Sequence, residues 1–216
     1  MSHPSTSGEL PAASQQPGWA KPLNLLAGLM MTLLLGLFAW RHVIAFTGTG
    51  QVQYLLICLS ELVCATLFLM RSAPVNVSTD PLDWLFGIAG TFLPLMLMPA
   101  TSGLWPAARH LIVLGTVLQI AAMLSLNRSL AIVAARRQIK TGGLYRYVRH
   151  PMYASYLVMY IGYVLANTTL LNTALVVLTI LFLFVRMARE EKLLGTDTAY
   201  RDYLQQVRYR VIPFVI

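Results

Sequence analysis

Apolar residues occur in this chain as long unbroken runs and not in alternation. Six runs stand out: Leu23–Phe46, Val52–Met70, Leu82–Met98, Ala107–Leu126, Met152–Thr168 and Leu171–Ala188. A helix that crosses the hydrocarbon core of a bilayer needs about 20 mostly apolar residues, and the first four runs reach or approach that length. Lipid cannot satisfy backbone polar groups, and the two-residue period of a barrel strand is nowhere visible, so each run is predicted to be a helix. The fold class is therefore an all-α integral membrane protein of about six apolar helices. The last two runs give roughly 26 Å of helix each, barely the thickness of a bilayer core. The polar turn Asn167–Asn172 between them predicts an antiparallel hairpin over 152–188. Pro94 predicts a kink in the third helix.

This pattern divides the chain into three regions: a tail at 1–22, a four-helix transmembrane region at 23–126, and a region at 127–216 that carries the hairpin. The tail is rich in Pro, Ser, Gly and Gln and is predicted to be disordered. The run that follows is too long and too late for a cleaved signal peptide, so it is expected to stay as the first span. Composition agrees: 57% of residues are hydrophobic and 11% charged, whereas a soluble domain has about a quarter charged. Cys58 and Cys64 lie six residues apart within the second run, about 9 Å along a helix axis, too far for a disulfide.

The formal net charge of +8 would suit nucleic acid, but the position of the charges points to membrane lipid and away from nucleic acid. Twelve of the sixteen Lys and Arg fall in two clusters. Arg128, Arg136, Arg137, Lys140, Arg146 and Arg149 precede the fifth run; Arg186, Arg189, Lys192, Arg201, Arg208 and Arg210 end or follow the sixth. Both clusters are expected on the cytosolic side, with Asn167–Asn172 opposite. Counting back along the spans puts Lys21 and Arg71 inside, and Arg41 and Arg109 outside.

The connector NRSLAIVAARRQIKTGGLYRYVRHP joins the fourth and fifth runs. Taken alone it is a polybasic anchor for anionic head groups, with an apolar patch at Leu130–Ala135 suited to the interface. Gly142 and Gly143 permit a tight turn, and Pro151 suits the first turn of the fifth helix with His150 at its cap. A helix start of this kind attracts anions, and Tyr153 follows within a turn. The sixth helix ends in LFVRMAREEKLL, so an antiparallel hairpin returns Arg186, Arg189, Glu190 and Glu191 to His150 and Tyr153. Acid and base then face each other at one mouth.

The run TGGLYRYVRHPMY, an apolar hairpin, REEKLL, AYRDYL and a late IP together resemble the isoprenylcysteine carboxyl methyltransferase family and its phospholipid and thiol methyltransferase relatives, over roughly 125–213. Leu144 and Ser155 stand where the family usually has Pro and often Gly. The resemblance implies methyl transfer from S-adenosylmethionine to a lipid-borne or apolar acceptor. It also implies that Tyr145, Arg149, His150, Tyr153, Glu190 and Glu191 hold the cofactor, while Arg186 and Glu191 act on the acceptor. A prenylated cysteine carboxylate is the favoured acceptor; a phospholipid amine, a small thiol and another apolar acid stay open.

Glu61, in mid-run, is a candidate substrate contact because an ionisable residue at bilayer depth is costly. The tail TAYRDYLQQVRYRVIP spaces Tyr200, Tyr203, Leu204, Val207 and Val211 as the apolar face of an interfacial helix over the mouth. The four His are scattered, so no metal site is expected, and no phosphate-binding glycine motif occurs. Two other functions compete. A nicotinamide-dependent sterol-type reductase resembles the carboxy-terminal architecture, but typically has Asn where Met152 stands. A non-catalytic lipid-binding protein would have little use for the polar set at the mouth.

Overall fold

The computed structural model describes residues 20–70, 76–130, 132, 135–136 and 139–213. Seven helices are formed among them: α1 (Ala20–Thr49), α2 (Val52–Leu69), α3 (Pro81–Phe92), α4 (Arg109–Leu126), α5 (Pro151–Ala166), α6 (Leu170–Leu194) and α7 (Thr198–Gln206). The expected tail over 1–22 lies outside the described residues up to position 19, and α1 begins at Ala20, inside it. The apolar patch at 130–135 lies mostly outside them, as do Arg71 and Arg137. Four helices are long and apolar enough to span a bilayer: Leu25–Thr49, Val52–Leu69, Pro106–Leu126 and Leu170–Leu194. The other two apolar segments, Pro81–Met96 and Pro151–Ala166, are shorter. Side chains such as Leu33, Trp40, Leu62 and Val177 point outward, as they should where lipid is the solvent.

The elements start where the sequence supplies a cap. Asp80 accepts the Leu82 N–H ahead of Pro81, Thr169 accepts the Asn172 N–H, and Asp197 accepts the Ala199 N–H. In the third run the α-helix ends at Phe92 and a tighter turn, Leu93–Met96, takes over around Pro94, so the expected kink is a helix end. Proline lacks the N–H that would continue the ladder.

The hairpin departs from expectation in two ways. Its second arm does not stop at Ala188: α6 runs 25 residues, about 38 Å, carrying Arg189, Glu190 and Glu191 on a helical extension. Its first arm packs mainly along α4, while α6 packs along α3. The reason is glycine. A Cβ on Gly115 of α4 would sit 2.5 Å from the Met159 backbone nitrogen, and one on Gly162 of α5 would sit 2.8 Å from the Ile112 nitrogen. Small residues at facing positions let two membrane helices touch backbone to backbone.

Two ends of the bundle are distinct. At one, the Asn172 amide bonds both the Met98 N–H and C=O (3.1 and 2.8 Å), and Asn167 Oδ1 accepts the Ala100 N–H at 2.9 Å. These contacts latch the α5–α6 turn to the loop after α3. Arg41 lies at this end, donating to Leu95 O at 3.2 Å. At the other, basic end, Arg189 pairs with Asp80 and Asp83 and clamps α6 to the start of α3. A two-residue antiparallel ladder, Asn76 opposite Arg136 and Val77 opposite Ala135, ties the connector to the segment before α3.

Candidate functional site

At the basic end the connector turns through Gly143, whose φ of +59° favours glycine, and a Cβ there would lie 2.3 Å from Ser125 Oγ. Gly142 has an ordinary negative φ, so only the second glycine is demanded by the turn. The turn lays Tyr145 beneath α7, where its carbonyl accepts the Tyr203 hydroxyl at 2.6 Å. The connector then ends in an extended step. The Arg149 N–H donates to Tyr209 O at 2.9 Å and the His150 N–H to Arg210 O at 2.7 Å, so the chain after α7 folds back across the start of α5. Pro151 occupies the first turn of α5 as expected, but the His150 side chain does not cap the helix.

The His150 ring instead reaches α6, with Nε2 3.1 Å from Glu191 Oε1. The same oxygen receives Arg149 at 3.1 Å, and the other carboxylate oxygen receives Arg210 Nε at 3.0 Å. One helical position earlier, Glu190 accepts the Tyr153 hydroxyl at 2.8 Å. The antiparallel return thus joins His150 and Tyr153 to the two glutamates.

These elements enclose a cavity of about 1120 Å³ including its mouth. Of the sequence-derived candidates, Tyr145, Arg149, His150, Tyr153, Arg186 and Glu190 line it. Glu191 is not among the lining residues, and its two oxygens are engaged by Arg149, His150 and Arg210. Glu61 lies away from this cavity, on the wall of a second space that opens deeper in the bundle. Arg186 faces both spaces, donates to Thr91 Oγ1 at 3.3 Å and lies 5.8 Å from the Tyr153 ring centre. A carboxylate or phosphate can be met by its planar fork.

Several lining residues escaped the sequence reading. Tyr200 and Tyr203 were expected only as the apolar face of an interfacial helix, yet they form part of the cavity wall. That helix ends at Gln206, and Val207 and Val211 are buried from the extended chain beyond it. Tyr156 was legible as the position one turn after Tyr153. Thr91, Met31 and Leu35 come from distant spans and carry no local signal. Burial raises the phenols of Tyr145 and Tyr200, and pushes that of Tyr203 up to about 12, so Tyr203 stays protonated and donating at neutral pH. Asp80, exposed beside the clamp, has its carboxyl held below the usual range by the Leu82 N–H and by Arg189.

The cavity's donor set can be tested against the cofactor implied by the resemblance. Among the described residues, Arg149 Nε and the Tyr200 hydroxyl are buried without a partner, and both residues line the cavity. A buried polar group left unpaired costs about 1–3 kcal/mol, so such groups are poised for a ligand. A guanidinium, a carboxylate and several tyrosine faces match a molecule carrying a carboxylate, an amine, hydroxyls and an aromatic base. S-adenosylmethionine fits.

Residues 106–201 match the Phospholipid methyltransferase family. The match runs from the turn before α4 into α7, and so includes the connector, the hairpin and the glutamate pair. It bears out the family resemblance carried by TGGLYRYVRHPMY and REEKLL: this part of the chain is similar to a family of membrane methyltransferases. No curated protein matches the chain.

Proposed function

We propose that the protein is an S-adenosylmethionine-dependent methyltransferase whose acceptor is borne on a lipid or another apolar carrier. The observation that supports this best is the single cavity in which Glu190, His150, Tyr153 and Arg149 Nε, unpartnered among the described residues, converge from α5, α6 and the connector, with Arg186 at its inner wall. S-adenosylmethionine, when bound, supplies an electrophilic methyl group on a sulfonium. The chain supplies the rest. Arg149 and the start of α5 meet a carboxylate. Glu190, aimed by the Tyr153 hydroxyl, accepts from an amine or ribose hydroxyl. Tyr145 and Tyr200 offer ring faces to adenine. The α7 segment excludes water from the site, and Arg186 orients the anionic part of the acceptor. Methyl transfer is an in-line displacement, so positioning and dryness carry more of the rate than proton transfer.

Among acceptors, a prenylated cysteine carboxylate and a phospholipid head group both present an anion to Arg186 while their tails stay in the bilayer. The basic end faces the cytosol on this reading, because it holds both Lys and Arg clusters. Calorimetric titration of detergent-purified protein with S-adenosylhomocysteine and with NADPH tests the assignment. Micromolar binding of the first and none of the second is expected; binding of NADPH alone would make it a reductase, and binding of neither a lipid-binding protein.

A further inference from the structure

Residues 145–150 and 203–210 lie against each other as one layer beside the start of α5. The N–H groups of Arg149 and His150 donate to the carbonyls of Tyr209 and Arg210 at 2.9 and 2.7 Å, and Arg149 Nη2 donates to the Arg208 carbonyl at 3.3 Å. The Tyr203 hydroxyl closes the layer on the Tyr145 carbonyl. Its inner side carries Tyr145, Arg149, His150 and Tyr203, which line the cavity. Its outer side carries different chemistry.

Most basic groups at this end of the bundle face a carboxylate. Arg189 pairs with Asp80 and Asp83, Lys192 acts on Asp80, and Arg149 and Arg210 pair with Glu191. Arg201 adjoins the equally exposed Asp202 in sequence. Arg146 and Arg208 differ: both are exposed, and no carboxylate among the described residues pairs with either. Apolar groups stand beside them. Tyr147 is 61% exposed, with the Arg146 guanidinium 5.5 Å from its ring centre, and Ile212 is 46% exposed four residues after Arg208.

Guanidiniums without carboxylates, next to an exposed aromatic ring and an exposed aliphatic chain, compose a surface that sits among lipid head groups. The cations meet phosphates while the ring and the aliphatic chain enter the acyl boundary. The position agrees. Pro151, where α5 starts its run into the apolar bundle, follows Arg149 by two residues, which puts the layer at the bilayer boundary. A zwitterionic head group carries its own ammonium beside each phosphate, whereas an anionic one leaves net charge for Arg146 and Arg208 to meet.

We infer that this outer side docks on anionic phospholipid of the adjoining leaflet, and that docking holds the carboxy-terminal layer closed over the cavity. Arg146 and Arg208 select the lipid by charge; Tyr147 and Ile212 set the depth. Arg210 Nε carries the effect inward through Glu191 at 3.0 Å, and Glu191 in turn meets Arg149 and His150 on the cavity wall. Leaflet composition thereby tunes affinity for the cavity's ligand. That last step rests on the reading of the cavity as the S-adenosylmethionine site; the docking itself does not.

The test reconstitutes the full chain in nanodiscs of phosphatidylcholine alone or with about one third phosphatidylglycerol, and follows hydrogen exchange over 198–213. Exchange in the anionic discs should be at least about fivefold slower, the yield of one basic side chain at an anionic surface, and the difference should vanish at about 1 M salt. Exchange over 109–126 should be the same in both discs. Arg146→Gln combined with Arg208→Gln should make the two discs equivalent. Equal exchange over 198–213 in wild type, or a difference that survives the double substitution, overturns the inference. The wild-type comparison decides even where the variant does not fold. S-adenosylhomocysteine should bind several-fold more tightly in the anionic discs; its failure to bind in either would sink the methyltransferase reading separately, because exchange is measured without it.

Discussion

The Tyr203 hydroxyl donates a 2.6 Å hydrogen bond to the backbone carbonyl of Tyr145, joining α7 to the connector across the cavity. Both side chains line that cavity, so this one bond sets how closely the carboxy-terminal segment covers it. Tyr203→Phe removes the bond and leaves a buried carbonyl with one partner fewer, a loss of about 1 kcal/mol. Hydrogen exchange should speed up across 198–206 and S-adenosylhomocysteine affinity should fall several-fold, while the melting temperature of the bundle barely moves. The pH dependence follows from burial, which raises the folded-state value to about 12. The proton is held more tightly in the folded chain, so the contribution is full below the ordinary phenol value of about 10 and is lost as pH rises through 12. Exchange at 198–206 in wild type should accelerate within that window and in Tyr203→Phe should show no such step.

Glu191 draws Arg149, His150 and Arg210 together. Glu191→Gln keeps the shape and removes the charge, leaving a largely buried Arg149 without its counter-ion. Breaking such a pair costs about 3 kcal/mol when fully buried; Arg210 is half exposed, so its share is small. A fall in melting temperature accompanied by weaker S-adenosylhomocysteine binding is expected. Loss of binding at an unchanged melting temperature would instead mean that Glu191 touches the ligand.

Arg186→Lys separates the two halves of the site. Lys keeps the charge but loses the planar fork that aligns a carboxylate or phosphate. Turnover should drop by an order of magnitude or more, with cofactor affinity nearly unchanged. Abolished S-adenosylhomocysteine binding in a folded variant would assign Arg186 to the cofactor.

Gly115→Ala tests the contact that sets α5 against α4. The new methyl group would lie 2.5 Å from the Met159 nitrogen and force the helices apart, at about 1–3 kcal/mol. The same change at Gly36, where none of the described residues lies within 4 Å, should be close to neutral. Thermal unfolding in detergent distinguishes the two; equal melting temperatures would show that the α4–α5 approach does not depend on glycine.

Sidedness is checked by labelling. Single substitutions Thr141→Cys, Leu170→Cys and Thr198→Cys, in a background with Cys58→Ala and Cys64→Ala, report from sealed vesicles. Thr141 and Thr198 positions should react from the cytosolic side and the Leu170 position, at the turn between α5 and α6, only from the opposite side. Reaction of all three from one side would mean a re-entrant hairpin.

Much of the bundle was legible without coordinates, because bilayer thickness and backbone hydrogen bonding leave a run of apolar residues no choice but helix. The junctions between spans were legible too: Pro151 and the polar turn at Asn167–Asn172 act through local backbone chemistry. So was the meeting of His150 and Tyr153 with Glu190 and Glu191, since an antiparallel return between two consecutive helices fixes which ends face each other. The tertiary structure alone decided the rest. That Glu191 clamps three basic groups while Glu190 faces the cavity depends on the rotation of α6, which a uniformly apolar helix surface does not encode. That Arg189 pairs with Asp80 and Asp83, and that Thr91 meets Arg186, depends on α3 lying beside α6, a neighbour choice made by side-chain fit between spans far apart in sequence. The second space, lined by Glu61 and Gln119, exists only where α2, α4 and α5 converge, and no local pattern on any one of them announces the other two.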